Sequence, residues 1–128
     1  MADIQLDYVL SHMINLPRKL LTDYKKHGLN EQQLAIILQI HIAKHSGVYF
    51  PTPEELANHV TMSKDECSMI LQTLIQQGFL EIIDENEGGI RKESYSLEPL
   101  WARLLNNEKE ASDKVEFGEL FQRFEAEF

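Results

Sequence analysis

The sequence predicts a mainly α-helical domain with a small β-hairpin, arranged as a winged helix. Two short helices follow one another, and each opens with a capping box, Thr52 with Glu55 and Ser63 with Glu66. Two helices joined by a short turn are typical of a helix-turn-helix. A β-rich segment containing a Gly-Gly turn follows the second helix directly. A hairpin in that position is the wing of a winged helix.

The two capped helices also carry the apolar pattern of a buried core. Pro53 occupies the first position of the first helix, where its missing N–H costs nothing. Gly78 is placed to end the second helix. Apolar residues in the second helix recur at the i, i+3, i+4, i+7, i+8 spacing of one buried face: Cys67, Ile70, Leu71, Leu74 and Ile75.

The predicted hairpin has a strand over 79–83, a polar turn over 84–89 and a second strand over 91–97. Strand alternation would place Leu80 and Ile82 on one face and Phe79 and Ile83 on the other. Apolar residues on both faces indicate either an exposed interaction patch or a second face covered by another segment. Both interpretations remain open from the sequence.

The chain divides into three predicted parts. Residues 1–16 are predicted to form an N-terminal extension, and residues 17–105 the winged-helix domain. A helix over 17–27 would end at Gly28, and a central helix capped by Asn30 would run to His45. After a short helix that starts at Pro99, residues 106–114 predict a polar linker. A final helix has one apolar face, and residues 106–128 are expected to lead to a C-terminal domain absent from this chain: Phe117, Leu120, Phe121, Phe124 and Phe128.

The charge disfavours loose attraction to nucleic acid. The net charge is −9. Most of the excess negative charge lies after residue 60, where the sequence has 7 Lys or Arg and 15 Asp or Glu. The single cysteine excludes an intrachain disulfide and fits a reducing cytoplasm. We also expect no signal peptide and no membrane span, because the N-terminus is acidic and no apolar run is long enough. One basic cluster stands out, and a solvated helix face is the simpler interpretation: Arg18, Lys19, Lys25 and Lys26.

The second helix of the helix-turn-helix reads DNA in many winged helices. In this sequence it contains few basic residues. Lys64 is the only basic residue in that helix, and Asp65 and Glu66 lie beside it. It therefore lacks the phosphate contacts that supply most non-specific affinity. Gln72 and Gln76 could still read adenine, so a DNA-binding transcription regulator remains the alternative function.

The sequence offers no catalytic or metal-binding set. His41 and His45 are four residues apart on a helix and could share a metal, but no third ligand accompanies them. Cys67 belongs to the buried stripe, which indicates a core residue rather than a nucleophile. We therefore predict a non-enzymatic protein without a cofactor.

Several segments resemble the N-terminal domain family of the primosomal replication protein DnaD from Gram-positive bacteria. The more specific ones cover 49–53, Tyr-Phe-Pro-Thr-Pro, and 95–101, Tyr-Ser-Leu-Glu-Pro-Leu-Trp. Further similarity lies in residues 20–24, 28–31, 77–80 and 124–128, so the resemblance covers nearly the whole chain. It implies a scaffold in replication initiation and restart, which associates with initiator and restart proteins and helps to bring the helicase to DNA.

The same resemblance implies where the chain would bind. The N-terminal extension would form a homo-oligomer, dimer or tetramer, through Ile4, Tyr8, Ile14 and Leu16. The wing side would meet the replication initiator or another primosomal protein. There Phe50 and Ile82 would be apolar anchors, and Glu93 would select a basic surface. DNA would bind only weakly, or through the separate C-terminal domain.

Overall fold

The computed structural model describes residues 2–114, with the side chains of residues 5–106. This part of the chain contains, in order, six helices and one hairpin. They are α1 (Ala2–Ser11), α2 (Arg18–Asp23), α3 (Glu31–His45), α4 (Pro53–Ala57), α5 (Lys64–Gln76), β1 (Glu81–Glu87), β2 (Ile90–Ser96) and α6 (Glu98–Lys114). The predicted class, mainly α with one antiparallel hairpin, is confirmed. No helix in the described part of the chain is long and apolar enough to cross a membrane.

The core lies where α3 meets α5, α2 and α6. Ile36 and Ile37 of α3, Leu74 of α5 and Leu100 of α6 are fully buried in one cluster. Residues from α3 face several neighbours at once, because apolar side chains surround most of that helix. The prediction of a central helix ending at His45 is therefore confirmed.

Local capping sets the helix starts as the sequence predicts. The side chains of Asn30, Thr52 and Ser63 each accept a hydrogen bond from the backbone N–H three residues later, and each capping box is complete. Gly28 and Gly78 follow the turns that end their helices, both with positive φ. Helices α4 and α5, each opened by such a box, lie in contact with each other.

The first strand starts later than predicted, and the wing turn is shorter. Strand β1 begins at Glu81, because the N–H groups of Phe79 and Leu80 both donate to the Leu74 carbonyl and close the end of α5. Both side chains enter the core at 2 % exposure. The predicted alternation over Phe79–Ile83 is therefore wrong, since only its last three residues are strand. Residues 84–87 extend β1, and Gly88-Gly89 alone form the turn.

Helix α6 is longer than the sequence suggests. A polar linker was predicted over 106–114, but α6 continues through Lys114. The reason is helix propensity, since this stretch contains no Gly or Pro and includes Ala, Glu and Lys. The predicted final helix with Phe117 and Phe128 lies outside the described residues.

Candidate protein-interaction surface

Three residues predicted to bind a partner lie around one tyrosine on the hairpin. Strand pairing places Ile82 directly opposite Tyr95. Glu93 is two residues from Tyr95 on the same strand, so both side chains are on the same face. The ring of Phe50, from the loop before α4, stacks on Tyr95 with centroids 4.5 Å apart. We call Phe50, Ile82, Glu93 and Tyr95 the wing face.

The wing face combines apolar and acidic groups at the surface. Ile82 is 46 % exposed and Phe50 is 36 % exposed, although neither lies at a chain end. Tyr95 is half-buried, and burial, helped by the nearby Glu93, raises the pKa of its phenol. The surface therefore offers aromatic and aliphatic contact area beside a carboxylate.

The charges beside this face are partly neutralised within the hairpin. Asp84 and Glu93 are cross-strand partners, so two carboxylates oppose each other. The Arg91 guanidinium donates two hydrogen bonds from Nε and Nη2 to Asp84, and its Nε lies 4.0 Å from a Glu93 oxygen. The bond with Asp84 raises the pKa of Arg91. Arg91 therefore contacts Asp84 more closely than it contacts Glu93.

A cleft of about 510 Å³ opens beside β2. It is lined by Tyr49 and Phe50 from the loop before α4 and by Glu85, Lys92, Glu93 and Ser94 from the hairpin. The loop and the hairpin are joined where the Tyr95 N–H donates to the Tyr49 carbonyl at 2.9 Å. Phe50 and Glu93 thus border one concave site.

Beyond its first turn, the outer surface of α5 carries no charged side chain. Met69 is 65 % exposed, and Gln72 and Gln76 are exposed along the same helix. The Thr73 hydroxyl and Gln77 amide oxygen accept bonds from buried Gln33, at 3.3 and 2.9 Å. Part of the polar surface that could have read bases therefore holds α5 against α3.

The N-terminal extension has little contact with the core. Tyr8 is 66 % exposed, whereas Ile14 and Leu16 are half-buried. The side chain of Ile4 lies outside the described residues. The Asn15 carbonyl accepts a 2.8 Å hydrogen bond from Nε2 of His41, which fixes the end of the extension to α3. Helix α1 thus places Tyr8 in solvent, and the residues after it anchor that helix.

Two members of the basic cluster are paired with a single carboxylate. Lys19 and Lys26 reach the buried Asp23 at 3.2 and 3.7 Å. The hydrogen bond from Lys19 lowers the pKa of Asp23 despite its burial. Arg18 and Lys25 are exposed. Much of this cluster therefore stabilises the turn after α2.

The histidine pair and the cysteine have structural surroundings. His41 and His45 contact edge to face at 4.7 Å, and His41 meets Trp101 in the same way at 5.8 Å. Within the described residues, no three His, Cys, Asp or Glu side chains are grouped to hold a metal. Cys67 is fully buried, and burial raises the pKa of its thiol, with a smaller contribution from Glu66.

Sequence reasoning missed Tyr49 and Tyr95, which connect the wing face to the cleft. The alternation of Tyr95 with Leu97 was visible in the second strand, but Tyr49 lies in the loop before α4, and the contact of Tyr95 with Phe50 spans 45 residues of chain. The role of His41 as an anchor for Asn15 was equally hidden. Non-local contacts of this kind leave no local spacing to detect.

Comparison with known proteins identifies the family. The sequence model of the family described as the DnaD N-terminal domain matches residues 16–115 of this chain. A replicative helicase loading/DNA remodeling protein DnaD from Bacillus subtilis (strain 168) is 40% identical in an alignment of 121 residues that covers 88% of this chain and 52% of that protein. The chain thus spans about half the length of this curated relative.

A solved structure agrees with the sequence matches. The crystal structure of the N-terminal domain of DnaD protein from Geobacillus kaustophilus HTA426 is similar with a TM-score of 0.71 and 32% identity, over 88% of this chain and 94% of that one. The resemblance found in the sequence is confirmed. The chain belongs to the DnaD N-terminal domain family.

Proposed function

We propose that this domain is a non-enzymatic oligomerisation and protein-docking module for bacterial DNA replication initiation and restart, where it serves primosome assembly and helicase recruitment. The relative's name, a replicative helicase loading protein, supports that setting. The observation that best supports a docking role is the wing face. There Phe50, Tyr95 and Ile82 lie near the acidic Glu93 on an exposed hairpin. Family membership favours this scaffold over a transcription regulator.

The wing face would dock the replication initiator or another primosomal protein. Phe50 and Ile82 supply the apolar contact that dominates many interfaces. Glu93 supplies a charge that favours a basic partner, because hairpin residues 81–96 carry five carboxylates and two basic side chains.

The N-terminal extension would form a homo-oligomer. Tyr8 is presented on an exposed helix, Ile14 and Leu16 are half-buried, and the Asn15 carbonyl holds the end of the extension to His41. Such a helix can bury its apolar side chains against a second copy without disturbing the core.

This part of the chain would contact DNA only weakly. The exposed side of α5 carries Met69, Gln72 and Gln76 instead of a row of basic side chains. Asp65 adds negative charge to it. Strong DNA binding would then belong to a separate domain, and the cytoplasm would be the site of action.

The docking proposal is tested by measuring equilibrium binding of the purified replication initiator from the same organism to the chain. Phe50→Ala and Ile82→Ala should each weaken binding about tenfold or more, since a loss of about 1.4 kcal/mol corresponds to a factor of ten. Glu93→Gln should weaken it less, with a reduced dependence on salt.

A matched control is Met69→Ala, which truncates a side chain that is equally apolar and more exposed but lies on α5. It should bind like the wild type. Circular dichroism and thermal melting separate loss of binding from loss of folding. Unchanged affinity for both Phe50→Ala and Ile82→Ala, in folded protein, would remove the wing face from the docking site.

A further inference from the structure

The hydrogen-bond pattern of the wing leaves one edge of β2 open. Glu87 and Ile90 flank a two-residue turn at Gly88 and Gly89, both with positive φ. Residues that flank such a turn form a hydrogen-bonded pair, and the two pair types alternate along an antiparallel ladder. Asp84–Glu93 and Asn86–Arg91 are therefore non-hydrogen-bonded pairs.

Backbone groups in non-hydrogen-bonded pairs point away from the partner strand. Tyr95, whose pair with Ile82 is of this type, shows it directly, since its N–H donates outward to the Tyr49 carbonyl at 2.9 Å. The N–H and carbonyl groups of Arg91 and Glu93 point to the same side. Among residues 2–114, no backbone group pairs with them there.

The open edge continues the line of the Tyr49 segment and borders the 510 Å³ cleft. A strand laid beside Arg91 and Glu93 would extend the two-stranded wing in the direction that Tyr49 already occupies. Its side chains would alternate across the new edge, so one could meet Phe50 while another approached Glu93. Backbone bonds would add affinity, and these two contacts would add specificity.

Charge selects the occupant. The hairpin carries a net charge of −3 over residues 81–96, from five carboxylates and two basic side chains. Pairing two copies of this edge would bring two such hairpins together. A basic segment would instead meet Glu93, whose internal contact with Arg91 is long at 4.0 Å.

We propose that the outer edge of β2 at Arg91 and Glu93 binds an extended, basic segment of a partner protein by strand addition. The inference rests on the proposed docking role of the wing face and specifies how the partner is held. Strand addition requires the backbone N–H and carbonyl groups of this edge as well as its side chains. It can therefore be tested separately from the docking role.

Hydrogen exchange of single amides provides the first test, with the purified replication initiator as probe. The amides of Arg91 and Glu93 should exchange fast in the free chain and slow about tenfold or more at saturating initiator. The ladder amides of Lys92 and Ser94 serve as internal references, because they are already protected by β1. No protection of Arg91 and Glu93 in the complex would overturn the proposal.

Substitution by proline provides the second test. Glu93→Pro removes an outward N–H and leaves the β1–β2 ladder intact, whereas Glu93→Gln removes only the charge. Strand addition predicts that Glu93→Pro binds the initiator about five to tenfold more weakly than Glu93→Gln. Asn86→Pro, at the outer edge of β1, is the backbone control and should bind like the wild type.

The outcomes separate this inference from the docking proposal. If the wild type does not bind, or if Phe50→Ala and Ile82→Ala both bind as tightly as the wild type, the docking role itself fails. If Phe50→Ala weakens binding but Glu93→Pro equals Glu93→Gln, docking stands and strand addition is wrong. If the Arg91 and Glu93 amides become protected with rising concentration of the chain alone, a second copy fills the edge, and the basic partner is wrong.

Discussion

At the scale of single residues, Cys67 gives the cleanest measure of core integrity. Its side chain is fully buried, and burial raises the pKa of its thiol, so the reactive thiolate is disfavoured in the folded state. We predict that a thiol reagent labels the folded chain at least about a thousandfold more slowly than the unfolded chain, as expected for a stability of about 5 kcal/mol. Labelling should depend on opening of α5.

Because Cys67 is the only cysteine, the labelling rate needs no correction for other sites. Leu74→Ala, which opens a cavity in the same core, should accelerate labelling, and Met69→Ala on the exposed side of α5 should not. Labelling of the native protein at the rate of a free thiol would show that Cys67 is accessible.

Residue roles were predictable where they depend on near neighbours in sequence. Asn30, Thr52 and Ser63 cap their helices because the acceptor and the donated N–H are three residues apart. Tyr95 was not predictable as the centre of the wing face, since its position depends on a stacking partner in another loop. Phe50 and Ile82 are exposed, and their binding role stays a prediction.

At the scale of elements, Arg103 fastens α6 to the end of α5. Its Nη2 donates a 2.7 Å hydrogen bond to the Gln77 carbonyl, and its guanidinium lies 4.3 Å from the centre of the Phe79 ring. We predict that Arg103→Ala lowers the free energy of unfolding by about 1–2 kcal/mol, from loss of the charged hydrogen bond and the cation–π contact. Denaturant unfolding measures this change.

Arg103→Lys is the matched control, because it keeps the charge but lacks the planar fork that serves both contacts. It should fall between Arg103→Ala and the wild type. Ala102→Ser, at the adjacent exposed position of α6, should change stability by less than about 0.5 kcal/mol. Equal stability of Arg103→Ala and the wild type would show that this contact does not hold α6.

Elements were predictable in kind but less so in extent. Periodicity and caps identified α3, α4 and α5. The start of β1, by contrast, depended on whether Phe79 and Leu80 would join the strand or close the end of α5. Phe79 and Leu80 have strand propensity, yet their N–H groups close α5 and their side chains fill the core. Burial outweighs propensity there, and that competition is not visible in local sequence.

At the scale of the whole molecule, apolar side chains are exposed on two separate parts of the chain, the wing face and α1, which composition alone could not show. The wing carries a local excess of carboxylates, while apolar side chains of α1 are exposed at the other end of the chain. The net charge of −9 indicates which partners are disfavoured. Placement of Phe50, Glu93 and Tyr8 on separate elements is what allows a heterologous surface and a self-association surface to coexist.

This separation predicts that the two surfaces fail independently. Deleting residues 1–11 removes α1 but keeps Ile14, Leu16 and the Asn15–His41 hydrogen bond. We expect the mass in solution, measured by sedimentation at several concentrations, to fall to that of a monomer. Thermal stability should change little, because the described side chains of α1 are exposed. The wild-type assembly should persist at high salt, since apolar burial rather than charge would hold it.

Phe50→Ala should leave the mass unchanged, which makes it the control for the deletion. An unchanged assembly after deletion would place self-association on another surface, and a change with Phe50→Ala would show that the wing face joins copies of the chain.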